Sequence, residues 1–271
     1  MDLINTIVLC DCIIGMRELS KETIPLTVTS PPYDNLRDYG KHGFNFEAIA
    51  NELYRITMQG GVVVWVVQDQ IKKGSETGTS AWQQLYFQRI GFRIHHRMVM
   101  LPLGNRNTTP VRYGNALQFA LVLSKGRPRY VNLIRDKRNA TGGQAHTYNQ
   151  RTKDGRIVSQ RTAITRTWGP REPVWTYAVG GCHTTEDAFT SEHPAMMPEA
   201  MAADHIISWS RPGDLVFDPM CGAATTCKMA LLNHRRYLGL EIHERYFQIA
   251  QERMRRAREQ HRRDLDEYCE V

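Results

Sequence analysis

None of the six cysteines, Cys10, Cys12, Cys182, Cys221, Cys227 and Cys269, falls in a C-x-x-C pair or at zinc-finger spacing. That argues against a zinc site and a disulfide framework; no metal is expected and the thiols read as reduced. No apolar run reaches the length of a membrane span, and residues 1–5 lack the basic and apolar stretches of a secretory leader. The expectation is a soluble chain in the cytoplasm, with no membrane partner. The dinucleotide fingerprint G-x-G-x-x-G is missing as well, which weakens a nicotinamide reading. Nor is there an acidic surplus. The net charge is +7 and the pI about 9.2, a balance that suits a polyanionic partner.

Hydrophobic residues, 41% of 271, suffice for one α/β core with a smaller insertion. Apolar and β-branched runs at residues 6–10, 26–28, 62–67, 92–101, 116–123, 214–218 and 237–241 predict seven strands. Helical spacing predicts helices at 12–20, 46–58, 80–90, 198–210, 225–233 and 243–260, with Ser80 as an N-cap and Gly60-Gly61 and Gly91 as stops. The unbroken run at 62–67 predicts a central strand covered on both faces, and Trp65 and Trp82 read as core. Strands alternating with helices predict a doubly wound sheet, with the strands at 92–101 and 116–123 as an antiparallel edge hairpin.

Two strand ends carry the chemistry. The first is Thr29-Ser30-Pro31-Pro32-Tyr33. Its prolines remove two backbone donors and end the ladder, which presents the carbonyls of Ser30 and Pro31 to a cleft beside the Ser30 hydroxyl and the Tyr33 ring. A flat molecule bearing an amino group, such as a nucleobase out of its stack, suits that corner, although a plain Pro-Pro turn has the same letters. The second is Phe217-Asp218-Pro219-Met220-Cys221-Gly222-Ala223-Ala224-Thr225-Thr226, a strand end, a small-residue turn and a helix start. Small residues let a ligand approach the backbone, and the helix N-terminus with the hydroxyls of Thr225 and Thr226 can hold a carboxylate. Glu241 ends the next strand about twenty residues on, where an acid takes the hydroxyls of a sugar. Asp218 repels phosphate, so a cofactor with a carboxylate, a ribose and a cationic centre fits, and S-adenosyl-L-methionine has all three.

Residues 125–171 hold twelve Lys or Arg against Asp136 and Asp154, a local net charge of +10, so the rest of the chain sums to −3. Neither helical nor strand periodicity is evident there. The segment reads as a solvated basic loop or as a nucleic-acid-contacting insertion that orders on its partner, and His146, Tyr148 and Trp168 favour the second.

Together, Thr29-Ser30-Pro31-Pro32-Tyr33, His193-Pro194-Ala195-Met196-Met197-Pro198 and Asp218-Pro219-Met220-Cys221-Gly222-Ala223-Ala224-Thr225-Thr226 resemble the motifs of the exocyclic-amino DNA methyltransferases, the adenine-N6 and cytosine-N4 enzymes. The catalytic motif precedes the cofactor motif, as in the β class, and Ser30-Pro31-Pro32-Tyr33-Asp34-Asn35-Leu36-Arg37-Asp38-Tyr39 is similar to enzymes of bacteriophages and mobile elements. The resemblance spans nearly the whole chain. It implies a circularly permuted, Rossmann-like methyltransferase fold with a seven-stranded mixed sheet: a catalytic half at 1–124, a basic target-recognition insertion at 125–185 and a cofactor-binding half at 186–271. It implies S-adenosyl-L-methionine as cofactor and double-stranded DNA as partner, and it allows a homodimer, a link to restriction-modification and a bacterial or phage-infected host cell.

Roles follow from the same resemblance. Ser30, Pro31, Pro32 and Tyr33 are the catalytic residues. Asp218 and Gly222, with Pro219, Met220, Ala224 and Thr225 of the same turn, bind the methionine side of the cofactor. Glu241 takes its ribose, Asp11 with Cys12 its adenine edge, and the segment from His193 to Pro198 closes over the methionine end. Arg127, Arg129, Arg135, Lys137, Arg138, Arg151, Lys153 and Arg156 face DNA phosphates. The family usually has a glycine where this chain has Ala224, so a methyl group is expected to crowd the cofactor there.

An exocyclic amino nitrogen is a poor nucleophile because its lone pair is delocalised into the ring. Ser30 Oγ and the Pro31 carbonyl, accepting from the two amino hydrogens, would favour the pyramidal nitrogen that attacks a sulfonium methyl, with Tyr33 stacked on the flipped base. Attack at cytosine C5 needs a cysteine, typically after proline in those enzymes, and none of the twelve prolines precedes a cysteine. In the family an aspartate at the Ser30 position goes mostly with adenine and a serine often with cytosine, although serine-bearing adenine enzymes occur in mobile elements. The reading therefore leans to cytosine-N4 over adenine-N6. The alternatives are an RNA methyltransferase of the same fold, a nicotinamide enzyme and a catalytically impaired DNA-binding relative.

Overall fold

A computed structural model describes residues 4–32, 44–103, 111–113, 117–180, 184–187, 189–190 and 196–269. The chain forms two compact units, Met1–Asn132 with Val174–Val271, and Leu133–Pro173. The second is narrower than the insertion expected at 125–185. In the main unit the order is β1 (Thr6–Leu9), α1 (Cys12–Arg17), β2 (Ile24–Thr29), α2 (Phe46–Ile56), β3 (Thr57–Val67), β4 (Ile71–Lys72), β5 (Ser75–Glu76), α3 (Thr79–Arg89), β6 (Arg93–Leu103) and β7 (Gln118–Ser124). The second unit holds β8 (Lys137–Arg138), β9 (Ala145–Arg151), β10 (Ile157–Ile164) and β11 (Trp168–Gly169). The main unit resumes with β12 (Val174–Ala178), α4 (Glu199–Trp209), β13 (Leu215–Asp218), α5 (Thr225–Leu232), β14 (Arg236–Glu241) and α6 (Glu244–Cys269).

One mixed, mostly parallel sheet of eight strands runs β1-β14-β13-β2-β3-β7-β6-β12, with β7 antiparallel to both of its neighbours. All seven expected strands are in it. The eighth, β12, pairs parallel with β6 and takes the edge, so β6 and β7 are internal strands and not the edge hairpin the sequence suggested. Its pattern is strand-like, with Trp175 and Tyr177 buried and their neighbours exposed. From the adjacent pair β2 and β13 the chain departs in opposite directions, through α2 to β3 and through α5 to β14. The crevice beyond their carboxyl ends is therefore the switch point where α/β sheets bind ligands.

The core explains why these strands stay central. Every residue of β2 is buried, and Val62 to Val67 of β3 are at most 1% exposed. Asn45 caps α2 by accepting from the Ala48 amide at 3.1 Å, and the helix buries Phe46, Ile49, Ala50, Leu53 and Ile56 at helical spacing. Phe46 meets the rings of Trp65 and Phe87 edge-on, at 5.7 and 5.2 Å. Trp65 donates its buried indole N–H to Gln83 at 2.8 Å. Trp82, expected in the core, is 48% exposed, on the outer side of α3 over Phe46.

Three local expectations change. The helix expected over 46–58 ends at Ile56 and passes directly into β3, because Gly60, at φ +75°, lies within the strand, donating to the Lys125 carbonyl and accepting from the Arg129 amide. Ser80 is inside α3 and not its cap; the Asp69 carboxylate accepts from its amide at 2.8 Å and its hydroxyl at 2.6 Å. Strands also form in the basic segment. β9 and β10 make an antiparallel ribbon exposed along most of both faces, closed by a turn with Asp154 and Gly155 (φ +87°). A ribbon with two polar faces shows no apolar alternation, which is why periodicity was silent, whereas the Asp-Gly pair is a hairpin signal.

Candidate active site

The carboxyl ends of β1, β2, β13 and β14 surround one cavity of about 1040 Å³, including its open mouth. Ser30 and Pro32 line it from the end of β2, Asp218 and the turn from Pro219 to Ala223 from the end of β13, Glu241 from the end of β14, and Asp11 and Cys12 from the end of β1. The two motifs are also bonded to each other. Thr29, the residue before Ser30, donates its hydroxyl to Asp218 Oδ1 at 2.8 Å, and Thr226 Oγ1 donates to the Val28 carbonyl at 3.1 Å. A contact across 189 residues of sequence thus fixes the Ser30-Pro31-Pro32 corner against the acid-led turn.

Backbone amides hold the acids in place. Asp218 Oδ1 also accepts from the Met220 amide at 3.1 Å, and Glu241 accepts from the amides of Gly222 and His243, both at 2.8 Å. Asp11 caps α1 through the amides of Ile13 and Ile14. Burial pushes the Asp218 carboxyl up to about 6 against the hydrogen bonds from Thr29 and Met220, and the Glu241 carboxyl is likewise raised by burial. Two desolvated acids in one cavity are stabilised by a cation and repel phosphate. The donor set therefore fits S-adenosyl-L-methionine: carboxylates facing its positive charges, spare lone pairs on Glu241 for a diol, and the first turn of α5 for a carboxylate. Burial also raises the thiols of Cys10 and Cys12, the latter to about 12, while a hydrogen bond with Cys227 and burial raise that of Cys221. The thiols stay neutral, so none of these three is poised as a nucleophile.

Of the expected site residues, Ser30, Pro32, Asp11, Cys12, Asp218, Pro219, Met220, Gly222, Thr225 and Glu241 share the cavity. Pro31 is buried beside it without lining it, and Tyr33 and His193 lie outside the described residues. Pro198 is the residue before α4 and does not reach the cavity; Met196 and Met197 of the same segment do. Thr226 lines it, but its hydroxyl is engaged by the Val28 carbonyl and by Asp218, which leaves Thr225 as the hydroxyl donor for a carboxylate. Ala224 is fully buried, does not line the cavity and stands at φ +62°. At that φ its methyl group strains the backbone. Asn45, His243 and Tyr246 were missed; they begin the helices α2 and α6, which start beside the same cavity, and a helix-cap reading finds Asn45.

The basic residues divide. Lys125, counted with the basic segment, is buried and bonded to the Tyr54 carbonyl and Glu22. Arg127 and Arg129 belong to the main unit, and Arg129 is paired with Asp214. In the second unit Lys137 pairs with Glu172 and Arg156 with Asp154, whereas Arg135, Arg138, Arg151 and Lys153 are exposed and have no ion pair among the described residues.

Residues 24–252 match the family model N6_N4_Mtase, DNA methylase. The orphan methyltransferase M.BamHII of Bacillus amyloliquefaciens is 44% identical over 236 residues, 86% of this chain and 89% of that protein. Among solved structures, the cytosine-N4-specific PvuII DNA methyltransferase aligns with a TM-score of 0.68 at 16% identity, over 96% of this chain and 92% of that one. The Thermus thermophilus protein TTHA0409, solved in complex with S-adenosyl-L-methionine, aligns with a TM-score of 0.59 at 22% identity, over 93% and 95%. At those identities the structural likeness speaks for the fold.

Proposed function

This chain belongs to the N6/N4 DNA methylase family, enzymes that methylate exocyclic amino groups of DNA with S-adenosyl-L-methionine, and we propose that its target is cytosine N4, held at Ser30. The observation that carries the reading is the shared cavity, in which Ser30 and Pro32 stand with Asp218 and Glu241, braced by the bond from Thr29 to Asp218. When bound, the cofactor supplies an electrophilic methyl group on a sulfonium. Asp218 and Glu241 orient it, through charge at the methionine side and hydroxyl contacts at the ribose. Ser30 Oγ and the Pro31 carbonyl accept from the amino hydrogens, which localises the nitrogen lone pair, and the Pro-Pro backbone keeps those acceptors rigid. Serine, a neutral group, at position 30 supports cytosine over adenine.

The second unit is read as the DNA-contacting part. Its exposed Arg135, Arg138, Arg151 and Lys153 supply phosphate contacts, and the ribbon of β9 and β10 presents Tyr148, Asn149, Gln150 and Arg161 on exposed strands suited to base edges. The test is incubation with labelled cofactor and, in parallel, DNA and RNA of mixed sequence, then digestion to nucleosides and mass spectrometry. N4-methylcytosine is the expected product. N6-methyladenine would overturn the choice of base, and label in RNA but not in DNA would overturn the substrate.

A further inference from the structure

Arg253 of α6 is fully buried, and each of its five N–H donors has an acceptor. Nε donates to Asp187 Oδ2 at 2.8 Å. Nη2 donates to Thr185 Oγ1 at 2.8 Å and Glu199 Oε1 at 2.6 Å. Nη1 donates to the Ala223 carbonyl at 2.8 Å and Thr225 Oγ1 at 2.9 Å, the two residues that flank the left-handed Ala224. Lys228 of α5 meets the same two carboxylates, at 2.7 and 2.8 Å, so two buried cations are held by two anions that keep only a small exposed edge. Burial pushes both carboxyls up, but the hydrogen bonds from Lys228, joined by Arg253 at Asp187 and Thr185 at Glu199, more than reverse it and leave both below the ordinary range.

A buried ion cluster adds little stability over well-packed apolar residues, so what it supplies here is geometry. Two of the five bonds from Arg253 shape the turn that gives Ala223 and Thr225 to the cavity. Two others grip Asp187 and Glu199, which bracket the stretch that gives Met196 and Met197 to the same cavity. We propose that Arg253 is a positioning residue for the cofactor, a single guanidinium that sets two walls of its cavity in register. A lysine has neither the fork nor the reach to serve both. The proposal rests on the reading of this cavity as the S-adenosyl-L-methionine site.

The test compares Arg253→Lys with Lys228→Met, which also disturbs the cluster but touches neither Ala223 nor Thr225. Cofactor dissociation constants by calorimetry and melting temperatures are measured for both and for the parent. The expected result is that Arg253→Lys raises the cofactor Kd by about tenfold or more, from two charge-assisted bonds lost, while Lys228→Met lowers the melting temperature and leaves the Kd within about twofold. Equal effects of the two variants on Kd, or none from Arg253→Lys, would overturn it. Should Arg253→Lys fail to fold, hydrogen exchange on the parent decides. Cofactor is expected to slow exchange at residues 185–187, which do not line the cavity, together with the turn at 222–226; protection confined to the turn would refute the linkage. A parent that binds no cofactor refutes the site itself, a distinct outcome.

Discussion

Asp218 is kept ionised at a cost that its neighbours only partly offset. Its folded pKa, about 6, lies above the ordinary carboxylate value of 3.8, so the folded chain binds a proton that the unfolded chain releases between those values. Stability from this group is complete below pH 4 and is lost as pH rises through 6. Asn at this position still accepts from Thr29 and Met220. Asp218→Asn is therefore expected to melt higher than the parent above pH 6, by on the order of 2–3 kcal/mol, with the gap closing below pH 4. The same variant should lose the melting shift that cofactor gives the parent, and melting curves across pH with and without cofactor check both. Ala224→Gly relieves a left-handed alanine against glycine's greater freedom when unfolded, so a gain of under about 1 kcal/mol in urea unfolding is expected with cofactor Kd unchanged. Ser30, Asp218 and Glu241 were legible because each ends a strand whose apolar letters locate it. Arg253 was not: it sits among Arg245, Arg255, Arg256 and Arg258, an arginine-rich run that reads as a solvated helix face, and its partners are 28 or more residues away.

At the level of elements, the junction of α2 and β3 depends on Gly60. A Cβ there would lie 3.0 Å from the Arg127 carbonyl oxygen and 3.1 Å from the Arg129 amide at φ +75°, whereas Gly74, at φ +79°, has open space around it. Gly60→Ala is expected to lower stability by about 2–3 kcal/mol and Gly74→Ala by about 1 kcal/mol, read from urea midpoints with unchanged slopes. Strands buried on both faces, such as β3, were plain in the sequence because a short, unbroken, β-branched apolar run is stable only where both sides are covered. The edge strand β12 and the ribbon of β9 and β10 were not, since one is short and follows a basic segment and the other has no apolar face. The alternation of Trp175 and Tyr177 in β12 is a strand signal only five residues long, and pairing with β6 is what establishes it.

Across the whole molecule the positive charge is concentrated in Leu133–Pro173, which holds nine Lys or Arg against Asp136, Asp154 and Glu172, while Lys125, Arg127 and Arg129 of the basic segment fall in the main unit. The exposed guanidiniums of Arg135 and Arg138 lack ion pairs among the described residues, whereas Lys137 has Glu172. Replacing both arginines by Gln is expected to weaken DNA binding and to flatten the slope of log K against log salt by about 2, with Lys137→Gln changing it less; fluorescence anisotropy at several salt concentrations measures this. One cavity must serve cofactor and base together for the proposed methyl transfer to occur. A crystal structure with S-adenosyl-L-homocysteine tests that most directly. The ligand is expected with its ribose at Glu241, its amino-acid end by the Asp218 turn and its sulfur toward Ser30; a ligand bound elsewhere, or with its adenine against Ser30, would contradict it.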